Sequence, residues 1–421
     1  MHNNAKERTK WKARLISWVD ELPPLATRPV RKLVSEITAG ILNSGSLQLA
    51  SIGRSLKEPT ALHHTVKRLS RMLSRHSEVA WVAEDLLLTK LGQRVTDDMV
   101  LAIDPGDLNR DGASKSEHLG RIRDGSTGEI INGYPLISVV ARDIRHGKTF
   151  PLLTRLLSSC RNGYRSENSD ILSVMDTVQR SVKARPLWVI DRGGDRGKLW
   201  NTWIEDGWDI LVRAANQRFW LWRDEQKAAQ QIARDLPLKH RGKLTRHSTE
   251  DVRFGITSVY LREHPDKKLS MVVVRHGKRE PLVLVSTRLV RGRKQGERLM
   301  QCYLDRWACE EGYRFSKQGF DLEKVQARSL SSLQNLVALA TLAWGLLAYY
   351  QDDGGKLLAK AKRQKTRKAL QFPFYSLLMG WQRLFAEAKH MFYHWWRRPN
   401  PHDSPTRDLF EDAGPLMPVL R

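Results

Sequence analysis

Two short apolar runs, each ended by an aspartate, most constrain the fold of this chain. Residues 99–103 precede Asp104, and residues 187–190 precede Asp191. Apolar runs of this length, bounded by Gly, Pro and Asp, are typical of buried strands. An aspartate at the tip of such a strand leaves the core and faces solvent. The two runs therefore predict a sheet that carries two carboxylates at its edge.

The segments around these runs alternate between strand and helix patterns. We predict further strands at residues 136–141, 149–153 and 208–212, and helices at residues 166–183 and 196–205. Mixed order of this kind buries the strands of an α/β fold between helical layers.

Four side chains of complementary chemistry share one stripe of a later predicted helix. Tyr303, Arg306, Glu310 and Lys317 point to about 0°, 300°, 340° and 320° if the helix turns by about 100° per residue. Glu311 lies well off this stripe, so the pattern selects Glu310. A carboxylate that holds a metal, flanked by cations that hold phosphate, suits chemistry on a nucleic-acid backbone.

Asp104, Asp191 and Glu310 form a candidate ligand set for metal ions. Two strand-end aspartates and one helical glutamate suit two divalent ions about 4 Å apart, the arrangement used for in-line phosphoryl transfer. Ligand sets made only of oxygen favour magnesium or manganese over zinc.

Together these residues resemble the bacterial DDE transposases of the insertion-sequence-four family. The family's Y-R-E-K signature, Tyr-x2-Arg-x3-Glu-x6-Lys, is present from Tyr303 to Lys317, and the sequences at 103–108 and 189–194 also fit. The resemblance spans residues 95 to 350, approximately. One departure is Pro105-Gly106, where many relatives have small hydroxyl residues.

This resemblance implies a ribonuclease-H-like core in which Asp104, Asp191 and Glu310 are catalytic and ligate two Mg²⁺ ions, with Mn²⁺ as a substitute. It implies DNA phosphate contacts by Tyr303, Arg306 and Lys317. The expected activity is cleavage of the terminal inverted repeats of an insertion sequence and their joining to target DNA, by a homodimer on DNA. A hairpin intermediate is the route that relatives use.

Composition agrees with a nucleic-acid partner. A net charge of +25 in 421 residues favours a polyanion. Three cysteines without metal-ligand spacing indicate a reducing compartment, which we expect to be the bacterial cytoplasm near the nucleoid. No signal peptide is visible, and the uncharged segment 329–350 predicts a buried helix rather than a membrane span, because its strongly apolar part is about 15 residues long.

Patterning along the chain divides it into five parts. We expect a helical DNA-binding domain at 1–95, the first part of the catalytic core at 96–213, a β-rich insertion at 214–293, the catalytic helix and the rest of the core at 294–352, and a basic C-terminal region at 353–421.

The N-terminal part contains a helix-turn-helix-like pattern. A helix at 47–56, a turn at 57–59 and a helix that Thr60 caps and that runs to Arg75 are expected. The second helix has an apolar face opposite four basic residues: Lys67, Arg68, Arg71 and Arg75. The basic face indicates either a helix that enters a DNA groove or a solvated helix in a small bundle.

Several further residues allow two interpretations. Trp220 and Trp222 suit stacking on an unpaired base, although packing in a strand core is favoured for either one. Arg306 and Lys317 suit phosphate contacts or exposed salt bridges, each worth under about 1 kcal/mol. Asp195 suits a helix cap better than a metal ligand.

Three other functions stay open. A non-transposing metal-dependent nuclease shares the carboxylates, a catalytically inactive DNA-binding derivative shares the basic surfaces, and a structural nucleoid protein shares the charge. The sequence lacks HExxH, Gly-x4-Gly-Lys, CxxC and Gly-x-Ser-x-Gly motifs, so it gives no support to other common chemistries.

Overall fold

The computed structural model describes residues 2–125, 127–245, 248–277, 280–360 and 372–386. Most of the predicted basic C-terminal region, including all but the first few residues of the lysine-rich run at 356–368, lies outside the described residues.

Helices make up the N-terminal part of the chain. They are α1 (His2–Asp20), α2 (Arg28–Ser44), α3 (Leu49–Leu56), α4 (Leu62–Arg75) and α5 (Glu78–Leu91). The expected pair at 47–56 and 60–75 is present as α3 and α4, joined through Lys57, whose φ of 52° ends α3 in the left-handed region. The predicted cap at Thr60 is wrong, because Ala61 stands at the N-cap and the Thr60 hydroxyl is instead 3.3 Å from that of Thr65.

Twelve strands within the described residues form one mixed sheet. They are β1 (Val100–Asn109), β2 (Gly120–Arg123), β3 (Ile130–Asp143), β4 (Lys148–Leu156), β5 (Leu187–Ile190), β6 (Ile210–Arg213), β7 (Phe219–Trp222), β8 (Glu225–Ala228), β9 (His240–Thr245), β10 (Thr249–Leu261), β11 (His264–Arg275) and β12 (Leu282–Ser286). Their order is β2-β3-β1-β5-β6-β12-β11-β10-β7-β8, with β4 added to β3 and β9 to β10.

The remaining helices lie between and after the strands. They are α6 (Glu167–Ser181), α7 (Gly197–Glu205), α8 (Ala229–Asp235), α9 (Arg293–Asp305), α10 (Trp307–Gly319), α11 (Leu330–Tyr349), α12 (Gly355–Lys360) and α13 (Phe374–Phe385). The chain is therefore a mixed α/β protein built on a large sheet.

The β-rich segment at 214–293 is continuous with the sheet that contains β1, β5 and β6. β12 pairs with β6 through three residue pairs, including Val212 with Val285, and β11, β10, β7 and β8 follow outward. The predicted β-rich segment therefore contributes six described strands, β7 to β12, to this one sheet. Its strands extend the sheet, because β6 has an open edge that β12 satisfies with backbone hydrogen bonds.

Helix α11 is the central buried helix. Within the described residues it alone is long and apolar enough to cross a membrane by length and composition, and 83 % of its most apolar 18-residue window is buried inside the protein. It packs against β4 and α5. This placement agrees with the predicted core helix.

Candidate active site

Pairing between β1 and β5 brings the two predicted aspartates together. The strands are parallel, and their last register pair joins Ala102 to Val189. Asp104 and Asp191 each lie two residues beyond this pair, and the charge of Asp191 acts on the Asp104 carboxylate. The expected edge of two carboxylates therefore forms.

Asp104 is not at the end of its strand, which corrects the prediction. β1 runs on through Pro105 and Gly106 to Asn109 and stays paired with β3, with Asp104 opposite Ser138. Beyond Ala102, β1 has lost its pairing with β5. Pro105, which has no N–H to donate, is tolerated because the strand there needs partners on only one side.

Asp191 starts a tight turn directly after β5. Its Oδ1 accepts a hydrogen bond of 2.7 Å from the N–H of Gly193. A Cβ on Gly194 would lie 2.6 Å from side-chain atoms of Ile190, so this position requires glycine. The Asp-Arg-Gly-Gly sequence thus fixes the Asp191 carboxylate close to the strand end.

The helix that carries Glu310 is interrupted, contrary to the continuous stripe that the spacing predicts. α9 ends at Asp305 and α10 begins at Trp307, with Arg306 between them. The N–H of Arg306 donates to the carbonyl of Tyr303, and the N–H of Cys309 donates to the carbonyl of Arg306. These are three-residue spacings, so the chain tightens locally as in a 3₁₀ turn.

Arg306 nevertheless joins the two halves of the site. Its guanidinium donates to Asp104 Oδ1 at 3.2 Å and to Glu310 Oε1 at 2.5 Å. The Arg306 side chain is 6 % exposed, against 22 % for Asp104 and 27 % for Glu310. The cation is therefore the inner member of the group, and the carboxylates lie between it and solvent.

Electrostatic coupling extends to all three carboxylates. The pKa of Asp104 is raised to about 7: burial is the main cause, Arg306 opposes it, and the charges of Asp191 and Glu310 add to the rise. Burial lowers the pKa of Arg306, but the anions around it, Asp104 first, outweigh that effect and raise it. The structure thus brings the three predicted carboxylates to one charged centre, where a single buried arginine offsets them incompletely.

The carboxylate oxygens of Asp104, Asp191 and Glu310 are chemically suited to a divalent cation, although they do not surround a single position. Oxygen-only, mutually repelling carboxylates are the ligands that hard cations bind. Among the described residues, however, no group of three or more His, Cys, Asp or Glu side chains is arranged to hold a metal ion. The Arg306 guanidinium lies between Asp104 and Glu310 and keeps their carboxylates apart.

The other two signature residues have different surroundings. Tyr303 is 6 % exposed, and the Arg306 guanidinium lies 5.7 Å from the centre of its ring. Lys317 pairs with Glu323 at 2.7 Å, and its ammonium stands 4.6 Å from the ring centre of Tyr313. Lys317 is thus the more accessible cation, and Arg306 faces inward.

Tyr313 is a site residue that sequence reasoning missed. A Cβ on Gly106 would lie 3.5 Å from its ring, so the tyrosine packs directly against β1 two residues beyond Asp104. Burial raises its pKa. The signal was available in the spacing, because Tyr313 is three residues after Glu310 and four before Lys317 on the same face of α10.

Asp195 is neither a ligand nor the predicted helix cap. Arg196 stands at the N-cap of α7, while the fully buried Asp195 carboxylate accepts hydrogen bonds from Trp200 Nε1 at 2.8 Å and from the N–H of Ala215 at 2.7 Å. Asp195 therefore ties the start of α7 to the end of β6.

Trp220 and Trp222 are buried, which corrects their selection as DNA contacts. Each is 1 % exposed. Trp220 packs edge-to-face on Trp200, and Trp222 donates from Nε1 to Thr257 Oγ1 at 2.9 Å. Their rings fill the core beside α7 and β10, so neither offers a face to a base.

The basic face of α4 is largely open. Lys67, Arg71 and Arg75 are exposed, and a groove of about 380 Å³ runs along this face between His64 and His76. Arg68 differs, since it pairs with Glu36 at 2.6 Å and Glu58 at 2.7 Å. Three of the four predicted cations are thus exposed on one face, and the fourth is held within the helical domain.

Arg288 lies away from the carboxylates. It donates to Asp209 and to the carbonyl of Arg185, at the opposite end of β5 from Asp191. Arg192, next to Asp191, is exposed.

Comparison with known proteins gives a family match over part of the chain and a structural similarity. Residues 158–346 match the family model described as the transposase DDE domain, a range that includes Asp191 and Glu310 but not Asp104. The match supports a transposase with a DDE catalytic domain. Among solved structures, the chain is similar to piggyBac transposase in a synaptic complex with hairpin DNA, at 12 % identity and a TM-score of 0.46 over 95 % of this chain and 85 % of that one. No curated protein matches the sequence.

Proposed function

We propose that this chain is a DDE-type DNA transposase of the insertion-sequence-four family. It binds the terminal inverted repeats of an insertion sequence, cuts the DNA at the ends and joins them to target DNA by phosphoryl transfer. The observation that carries the proposal is the convergence of Asp104, Asp191 and Glu310 on Arg306.

The fold supports the proposal independently of the signature. The core strands follow the order β4-β3-β1-β5-β6, with β1, β5 and β6 parallel and β3 antiparallel. This is the order that a ribonuclease-H-like core requires. It puts the first and second aspartates on neighbouring strands.

Each residue at the site has a definable role in the proposed reaction. Asp104, Asp191 and Glu310 would hold two Mg²⁺ ions, or Mn²⁺ in their place, and bound ions of this kind would supply a lowered pKa to an attacking water and charge stabilisation to the leaving 3′ oxygen. Arg306 neutralises the carboxylates from the buried side and orients Asp104 and Glu310 towards the DNA. Lys317, the more accessible cation, positions a phosphate that flanks the scissile bond, whereas the buried ring of Tyr303 lies beside Arg306 in place of the predicted phosphate contact.

DNA binding involves surfaces beyond the site. The exposed cations of α4, Lys67, Arg71 and Arg75, contact the backbone of the terminal repeats, and the net charge of +25 makes binding salt-sensitive. A homodimer on DNA handles the two ends together, in the bacterial cytoplasm. A nuclease without transposition and an inactive DNA-binding derivative are the alternatives to be separated by experiment.

The test compares cleavage by wild type, Glu310→Gln and Glu311→Gln on duplex DNA that carries the inverted repeats flanking the reading frame, with Mg²⁺. Glu311 is the matched control, because it neighbours Glu310 but pairs outward with Arg314 at 2.7 Å. We expect nicking at the repeat boundary by wild type and Glu311→Gln, and loss of at least 100-fold in rate for Glu310→Gln.

Three outcomes would overturn the proposal or narrow it. Binding by all three proteins with cutting by none points to the inactive derivative. Cutting without joining of the 3′ end to target DNA points to the nuclease. A greater loss of cleavage rate in Glu311→Gln than in Glu310→Gln would contradict the assignment of Glu310 to the active site.

A further inference from the structure

A wide groove adjoins the carboxylate site without belonging to it. It has a volume of about 800 Å³, and its walls are the loop after β1 (residues 109–116) and the segment between α10 and α11 (residues 323–328). Glu323 in the second wall pairs with Lys317 of the site. Asn109 in the first wall is five residues along β1 from Asp104, about 17 Å at the rise of a strand.

The two walls are held together by hydrogen bonds, so specific contacts fix the shape of the groove. The Arg110 guanidinium, 7 % exposed, donates to the carbonyls of Val325 and Ala327. Glu117 adds two bonds: its N–H donates to the carbonyl of Arg328, and its carboxylate accepts from the N–H of Leu330. The loop after β1 is thereby clasped to the segment that leads into α11.

The charge of the groove is net positive. Its basic residues are Arg110, Lys115, Lys324 and Arg328, and its acidic residues are Asp111 and Glu323. Both acids already have partners, since Asp111 accepts from the N–H of Asn132 and Glu323 pairs with Lys317. Lys324 pairs with Asp321 at 2.9 Å, and the Arg110 guanidinium is used by the carbonyls that it binds. Lys115 and Arg328 are exposed, so the groove offers these two cations to an anion.

The groove also connects the site with the N-terminal helices. Its residues Gln326 and Arg328 line a second groove as well, whose other wall is formed by α3 and α4. The exposed cations of α4 line a separate groove, but a continuous surface leads from α3 and α4, past Arg328 and Lys115, towards Glu323 and its partner Lys317. Its length suits a polymer of regularly spaced anions better than a small ligand.

We infer that this groove binds the phosphodiester backbone of the DNA that flanks the scissile bond, through Lys115 and Arg328. The inference rests on the proposed function and names where the substrate runs. The separation of about 17 Å corresponds to about five base pairs at 3.4 Å each, so the groove contacts phosphates about half a helical turn from the cut.

The test measures DNA affinity in the Glu310→Gln background, where cleavage does not interfere. Lys115→Glu combined with Arg328→Glu is compared with Lys267→Glu combined with Lys268→Glu, which reverses two exposed lysines on β11. β11 is three strands from β5, and the register through Ser270, Ser286 and Leu211 puts these lysines towards the end of the sheet opposite Asp191. Both double variants change the net charge by the same amount.

We expect the groove variant to lose at least tenfold in affinity for repeat duplexes at moderate salt. The slope of log affinity against log salt should fall by about two, since about 0.9 counterions are released per phosphate contact. Phosphate ethylation about five base pairs from the cut should stop interfering with its binding. The β11 variant should keep the footprint and most of the slope.

Failure of the inference is distinguishable from failure of the proposed function. If Glu310→Gln with an intact groove binds no repeat duplex, the proposed function fails. If it binds and the two double variants lose affinity equally, the groove is not on the DNA path and the inference alone is overturned.

Discussion

At the scale of single residues, Arg306 departs most from an ordinary surface cation. A side chain that is 6 % exposed and faces three carboxylates contributes through direct charge–charge contact, where water screens little. Its planar fork can donate to Asp104 and Glu310 at once, which a lysine ammonium does with poorer geometry. Arg306 therefore does in the folded protein part of what a bound cation does, namely offset the carboxylates.

This leads to a prediction for Arg306→Met, which keeps the stem and removes the charge. Without Mg²⁺ we expect a loss of about 3 kcal/mol in the free energy of unfolding, because removing one member of a buried ion pair leaves the others uncompensated. Added Mg²⁺ should raise Tm more in the variant than in wild type, since the carboxylates then lack their internal partner. Thermal unfolding with and without Mg²⁺ measures both effects. Equal Mg²⁺ shifts in the two proteins would contradict the assignment of this site to divalent cations.

At the scale of secondary-structure elements, the sequence predicted the features that neighbouring residues determine and missed those that depend on distant parts of the chain. The apolar run before Asp191 predicted β5 because four consecutive buried residues need no distant partner to be recognised. The continuation of β1 past Asp104 could not be predicted, since Pro105-Gly106 is typical of a turn and only pairing with β3 overrides it. The break at Arg306 was also invisible, because the residues of α9 and α10 are compatible with one continuous helix.

Helices α2 and α4 are linked by a buried ion pair that should respond to pH. Burial raises the pKa of Glu36 above its ordinary value of 4.5, although Arg68 and Lys32 oppose the shift. When the pH lies between the unfolded and folded pKa values of Glu36, the folded state binds more protons than the unfolded state. The contribution of Glu36 to the free energy of unfolding therefore decreases as the pH rises through this range. The effect has the opposite sign to that of an ordinary exposed salt bridge.

The corresponding prediction concerns Glu36→Gln, which stays neutral and can still accept from Arg68. Relative to wild type, its free energy of unfolding should increase as the pH is raised from 4.5 through the folded pKa of Glu36. Urea unfolding of both proteins across this range measures the difference, in which the titration of all other groups largely cancels. A difference that is independent of pH, or that falls as the pH rises, would show that Glu36 is not held in a desolvated environment.

At the scale of the whole molecule, one apolar cluster joins segments that the sequence pattern separated. It contains Val100 and Val189 from the catalytic strands, Phe254 and Val272 from the β-rich segment, and Tyr303 from α9. The pattern at 214–293 predicted the strands but not their partners, because β6 and β12 are brought together from positions more than sixty residues apart. The helix that carries Tyr303 therefore packs on strands that interrupt the core in the sequence but belong to the same sheet in the structure.

Phe254 and Gly296 provide the test of this continuity. Phe254 is fully buried, and a Cβ on Gly296 of α9 would lie 2.7 Å from its ring. Phe254→Ala should cost about 3–5 kcal/mol, and Gly296→Ala about 1–3 kcal/mol from overpacking. In the double variant, Gly296→Ala should destabilise the protein less than it does alone, because the space left by the Phe254 ring accepts the new methyl group.

The decisive measurement is hydrogen exchange of β1 and α9 in Phe254→Ala. If the sheet unfolds as one unit, the slowest amides in residues 100–109 and 293–305 should lose the same free energy of protection as denaturant unfolding reports for the whole chain. If residues 214–293 formed an independent domain, protection would fall there and stay unchanged in β1. The first outcome would mean that the position of Glu310 depends on strands far from it in sequence, because α9 and the turn at Arg306 transmit their packing to the carboxylates.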